Sequence, residues 1–158
     1  MNLDSLKEFT NFNPGTLLPE LDTLLGKMEL LLRILVMAGP VVLLVFGLIY
    51  LLAAPKEANH HLGYRCYFGM GSVEAWRYAQ KLAGLVWSGL GLVLTVVMLI
   101  LIGKFRGMDA EAMVWAAIKY ILWELGLTVL ACLCINITVT CFFDRNGNRR
   151  IRRKKEKN

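Results

Sequence analysis

Three long apolar stretches organise the chain, at 34–54, 82–103 and 120–143; the first two hold no charged residue and the third holds only Glu124. A helix rises about 1.5 Å per residue, so about 20 residues cross a hydrocarbon layer ~30 Å thick, and each stretch is long enough. The runs are continuously apolar rather than alternating, which argues against the strands of a membrane barrel. The predicted fold is therefore an all-α membrane protein with three transmembrane helices. Ahead of the first span, Leu17, Leu18, Leu21, Leu24, Leu25, Met28, Leu31 and Leu32 recur at helical spacing opposite Glu20, Asp22, Lys27 and Glu29. That pattern suits an amphipathic helix lying on the bilayer within 1–33, and it equally suits an early continuation of the first span.

Composition supports a membrane class: 56% of the 158 residues are hydrophobic, too many for one water-soluble core. Four cysteines, four prolines and no glycine period exclude disulfide frameworks and collagenous or low-complexity chains. Asp4, Glu8, Glu20, Asp22 and Glu29 make the first segment unlike a basic leader, so it is expected to be retained.

The net charge of +6 resides entirely in the tail 144–158, with eight basic residues against Asp144 and Glu156. Placing this tail inside puts the loop 55–81 inside too, with 12 basic residues on that side against 6 on the other. The bias favours a cytoplasmic C-terminus and an external N-terminus. The tail is read as an anchor to an anionic leaflet or a dock for a cytosolic regulator, with nucleic acid the least favoured partner.

Within the spans, Gly84, Ser88, Gly91 and Thr95 share one face of the second, where another helix can approach closely. Gly39 and Pro40 predict a kink in the first. Glu124 is costly in lipid and so should face protein or water, with Lys119 near enough to pair with it. Thr128, Cys132, Asn136 and Thr140 continue from it in steps of four, a polar seam for interhelical hydrogen bonds, ligand contact or proton handling.

The cysteine spacings do not suit a bridge. His60, His61 and Cys66 match a metal set only loosely, and Asp144-Arg145-Asn146-Gly147-Asn148 is a turn rather than a calcium loop. Asn136-Ile137-Thr138 is a glycosylation triplet placed inside the bilayer. No nucleophile elbow, phosphate loop or HExxH motif occurs. Neither enzymatic chemistry nor a metal or cofactor is expected.

The loop 55–81 carries the most distinctive order of residues. Gly63, Gly69 and Gly71 permit a tight reversal, and Ser72 can cap a helix whose Glu74 suits the positive dipole end. That helix runs into the second span, with Trp76, Gln80, Ala83 and Trp87 on one face. The indoles suit the headgroup level, where Tyr64, Tyr67 and Phe68 can fold against them. Arg65 can stack on a ring, pair with Glu74 or meet lipid phosphate.

This order resembles the SdpI family of bacterial membrane proteins, whose hallmark is Gly-Tyr-Arg-Thr, then Ser-Met, then a helix with Trp, Ala, an amide or histidine, and Gly. Gly63, Tyr64, Arg65, Met70, Ser72, Glu74, Trp76, Ala79, Gln80 and Gly84 fall at the matching steps. Cys66 stands where the family has Thr, and Gly69 where it usually has Ser. The resemblance covers about 22 residues directly and, through the layout of spans, roughly half the chain. It implies a multi-pass protein of the bacterial cytoplasmic membrane that protects its cell from a secreted, membrane-acting hydrophobic peptide toxin, with coupling to signalling. The implied partners are the lipid bilayer, that toxin and a cytosolic regulator. The alternatives are a small transporter or channel subunit, which demands a homo-oligomer, and a scaffold beside a larger complex.

Overall fold

The computed structural model describes residues 14–53 and 63–150, with side chains described from residue 23 onward. Helix α1 spans Pro14–Leu52, α2 spans Val73–Ile102, a 3-10 turn spans Gly103–Phe105, and α3 spans Ala110–Phe142. All three helices are long and apolar enough to cross a bilayer. Their outward faces carry Ile34, Leu35, Leu92, Ile100, Leu122 and Ile137 exposed, the pattern of a bundle whose solvent is lipid.

No separate interfacial helix precedes α1 among the described residues, and 14–33 form the first half of that helix. Neither Gly nor Pro stands between Lys27 and Ala38, so nothing punctuates the passage into the apolar stretch. Gly39 and Pro40 lie within the same continuous helix, with Pro40 buried. The residues 1–13, the His60–His61 pair and the tail from 151 lie outside the described residues.

Helix α2 starts where Ser72 caps it: the Ser72 hydroxyl accepts from the Ala75 amide at 3.1 Å, and Glu74 sits in the first turn. The helix then enters the apolar stretch without a break. After the 3-10 turn, Gly107 takes a φ of +85°, a left-handed conformation that reverses the chain toward α3. Helix α3 begins ten residues before the apolar stretch at 120. Met113 and Ala117 of these added turns are buried.

Lipid gives helices no hydrophobic reason to associate, so close packing must hold them. Gly84 and Gly91 of α2 face α1: a Cβ at Gly84 would lie 2.8 Å from the Leu51 amide nitrogen, and one at Gly91 2.5 Å from that of Leu44. The small-residue stripe therefore seats α1, while the polar seam of α3 lies elsewhere. Ser88 and Thr95 donate to carbonyls of their own helix, Leu85 at 3.3 Å and Gly91 at 2.7 Å.

Two cores sit at opposite ends of the bundle. Beside the α2–α3 turn, Phe105 is fully buried among Val36, Met98, Ile102, Met113 and Ala117, and stacks on Tyr120 at 6.1 Å. At the other end Tyr64, Ala75, Ala79, Ala83, Ile135, Val139 and Phe143 pack together.

Gly91→Ala should lower the thermal midpoint in detergent, through overpacking worth about 1–3 kcal/mol. Gly89→Ala, where an added Cβ meets nothing within 4 Å, should leave the midpoint unchanged or raise it. Circular dichroism melts of the two variants make the comparison.

Candidate functional site

Gly63 opens the loop with a φ of +123°, and a Cβ there would lie 2.7 Å from the Trp76 ring, so only glycine fits. The chain then reaches Tyr64, whose backbone is read like a base pair by one side chain. The Tyr64 amide donates to Gln80 Oε1 at 2.8 Å, and Gln80 Nε2 donates to the Tyr64 carbonyl at 2.7 Å. Gln80 is fully buried, so these two bonds satisfy polar groups that no water reaches. The Tyr64 hydroxyl donates to the Cys132 carbonyl of α3 at 3.1 Å, and its ring meets Trp87 edge-on at 5.5 Å. Burial pushes the Tyr64 phenol up to about 12, keeping it a neutral donor.

A turn follows in which the Gly69 and Met70 amides donate to the Cys66 carbonyl at 3.1 and 3.3 Å. Burial pushes the Cys66 thiol up as well. The loop then meets the end of α3. Asp144 Oδ1 accepts from the Asn146 and Asn148 amides at 3.0 and 2.8 Å, folding 144–148 into a turn, and Phe143 pairs with Arg149 across it. Gly147, with a φ of +73°, presses on the loop so closely that a Cβ there would lie 2.5 Å from the Gly71 carbonyl carbon. Ser72 Oγ donates to the Gly147 carbonyl at 2.8 Å while capping α2. Around this contact Glu74 pairs with Arg149 at 2.7 Å, Arg145 lies over the Tyr67 ring at 5.8 Å, and Arg149 lies over Phe143 at 5.8 Å.

The structure thus gathers Gly63, Tyr64, Met70, Ser72, Glu74, Trp76, Ala79 and Gln80 at one corner of the bundle. Gly84 faces α1 instead. Arg65 is exposed, and the Glu74 and ring positions open to it in sequence are taken by Arg149 and Arg145. Trp76 is fully buried in protein rather than lying at a headgroup surface. The part of the turn at 144–149 escapes sequence reasoning because its partner Ser72 lies 75 residues away, although the Asp-x-Asn-Gly turn itself is legible.

The α3 seam divides. Thr128 and Thr140 donate to the carbonyls of Glu124 and Asn136, each at 2.8 Å, and are satisfied within the helix. Asn136 is half-buried, and Cys132 serves Tyr64 through its carbonyl. Glu124 is 6% exposed, packs against Gly39, and has no ion pair with Lys119, which is exposed. Helix α3 extends back to Ala110, which places Glu124 about 21 Å along it, well inside the bundle. The four cysteines are free thiols.

A family model described as the SdpI/YfhL protein family matches residues 55–143, over half of the chain. The chain belongs to the SdpI/YfhL family. With three helices long and apolar enough to cross a bilayer, this family member is a multi-pass membrane protein. No curated protein and no solved structure matches it.

The two departures of this SdpI/YfhL chain from the hallmark order touch each other. A Cβ at Gly69 would lie 2.6 Å from Cys66 Sγ and 3.1 Å from Ala79 Cβ, so the bulky sulfur occupies the room that a serine at 69 would need. Gly69→Ser should therefore destabilise the protein by roughly 1–3 kcal/mol. Adding Cys66→Thr should recover at least half of that loss in a double-mutant cycle read by thermal unfolding, whereas additive losses would show the sites to be independent.

Proposed function

We propose that this protein is a non-enzymatic immunity protein of the bacterial cytoplasmic membrane, which binds a secreted, membrane-acting hydrophobic peptide toxin and passes the bound state to a cytosolic regulator. Membership of the SdpI/YfhL family supports the class. The observation that carries the mechanism is the contact of Ser72 with Gly147, which ties the capped start of α2 to the end of α3. A peptide lodged among the helices and displacing α3 is felt at that contact. The excess of Lys and Arg on the side of 55–81 and the tail supports a cytosolic position for this corner, with the N-terminus outside. Arg65, Arg145 and Arg149 are exposed, and the last two begin the basic tail, where a regulator finds charge to dock on.

The test expresses the protein in toxin-sensitive cells and applies, one at a time, the secreted hydrophobic peptides encoded beside its gene, with a potential-sensitive dye as readout. Cells making the protein should hold their membrane potential against one of these peptides. Ser72→Ala should weaken protection at equal membrane abundance. Equal depolarisation with and without the protein for every peptide would overturn the assignment.

A further inference from the structure

Beside the core at the α2–α3 end, and sharing Leu43 and Leu94 with it, α1, α2 and α3 together line a cleft of about 520 Å³. Its wall is apolar and its rim residues Val42, Phe46 and Leu125 are exposed, so it opens sideways toward lipid. Tyr50, Trp87, Glu124 and Thr128 break that wall, and two of them have a buried atom with no hydrogen-bond partner among the described residues: Glu124 Oε1, an acceptor, and Trp87 Nε1, a donor. An unmade hydrogen bond at a buried site is costly, and both residues that carry one line the same cleft.

Their spacing follows from what each helix faces. Glu124 lies opposite Gly39, whereas Trp87 and Ser88 lie opposite Gly47. Those glycines are eight residues apart on α1, so the helix positions that carry the two orphans are offset by roughly 12 Å along the bundle. One small polar head cannot reach both.

We propose that this cleft is a binding site for an elongated apolar molecule entering from the bilayer, with a hydrogen-bond donor at one end for Glu124 and an acceptor at the other for Trp87. The volume suits a ligand of that size. Apolar contact with Leu43, Phe46 and Leu94 holds its middle, and the two polar ends fix its register. The site is independent of toxin immunity, and it stands or falls on its own measurement.

The probe is a linear alkane-α,ω-diol with hydroxyls spaced to match the two orphans, compared with the monoalcohol and the alkane of equal chain length. The protein is reconstituted in phosphatidylcholine vesicles with Trp123→Phe, an exposed position away from the cleft, to lower background emission. Tryptophan emission should change saturably with the diol, at a half-saturating mole fraction in lipid about ten-fold below that of the monoalcohol. Trp87→Phe should abolish the change. Glu124→Leu should weaken the diol about ten-fold, while Glu124→Gln, which keeps a carbonyl acceptor, should bind nearly as the unaltered protein does. Non-saturable responses to all three probes would overturn the proposal, as would saturation indifferent to Glu124→Leu in a variant that keeps its thermal midpoint.

Discussion

Where a chain leaves its helices at the edge of a bilayer, its backbone amides and carbonyls still need partners, and water does not reach all of them. The Gln80 carboxamide answers this at the loop entering α2: one planar group, fully buried, takes both the donor and the acceptor of Tyr64. A carboxamide carries a donor and an acceptor side by side without charge, which matches the paired amide and carbonyl of one residue. From that anchor Tyr64 reaches α3 through its hydroxyl and Trp87 through its ring, and the loop lies where Gly71 and Ser72 can meet Gly147.

The bundle is consequently held most firmly at its ends. Alanines and Trp76 fill one end beneath the clasp, and Phe105 and Met113 fill the other. Helices α1 and α2 are drawn together along their length by glycines at 47, 84 and 91. Among the described residues α3 has no comparable glycine contact with α1 beyond Gly39, and the cleft beside it is lined by Glu124 and Trp87, whose Oε1 and Nε1 atoms lack hydrogen-bond partners. A bundle tied at both ends, with a cleft open on its side, can admit a ligand from the side without losing its fold.

Much of this architecture is legible in local sequence. The charge-free runs mark the helices, and Ser72 followed by Glu74 marks the start of α2, because capping and dipole effects act within a turn. Asp144 to Asn148 is readable as a turn for the same reason. The early start of α3 is foreshadowed by Asp109 beside Ala110, but Lys119 and Glu111 hide it from a search for apolar runs. What the turn grips, which carbonyl Tyr64 reaches and which helix receives the glycine stripe all depend on residues far apart in the chain. Arg65 shows the limit most clearly: its neighbours in sequence offer it Glu74, and the fold gives Glu74 to Arg149.

The hallmark loop is a fixed clasp rather than a free segment, and exchange at the Tyr64 amide reads that fixation. In the protein reconstituted in lipid nanodiscs, hydrogen exchange at that amide should be as slow as at amides inside the first turns of α2, and Gln80→Leu should speed it by at least about ten-fold. Exchange of the Tyr64 amide in the unaltered protein at the rate of an unstructured peptide would show that the loop is not clasped.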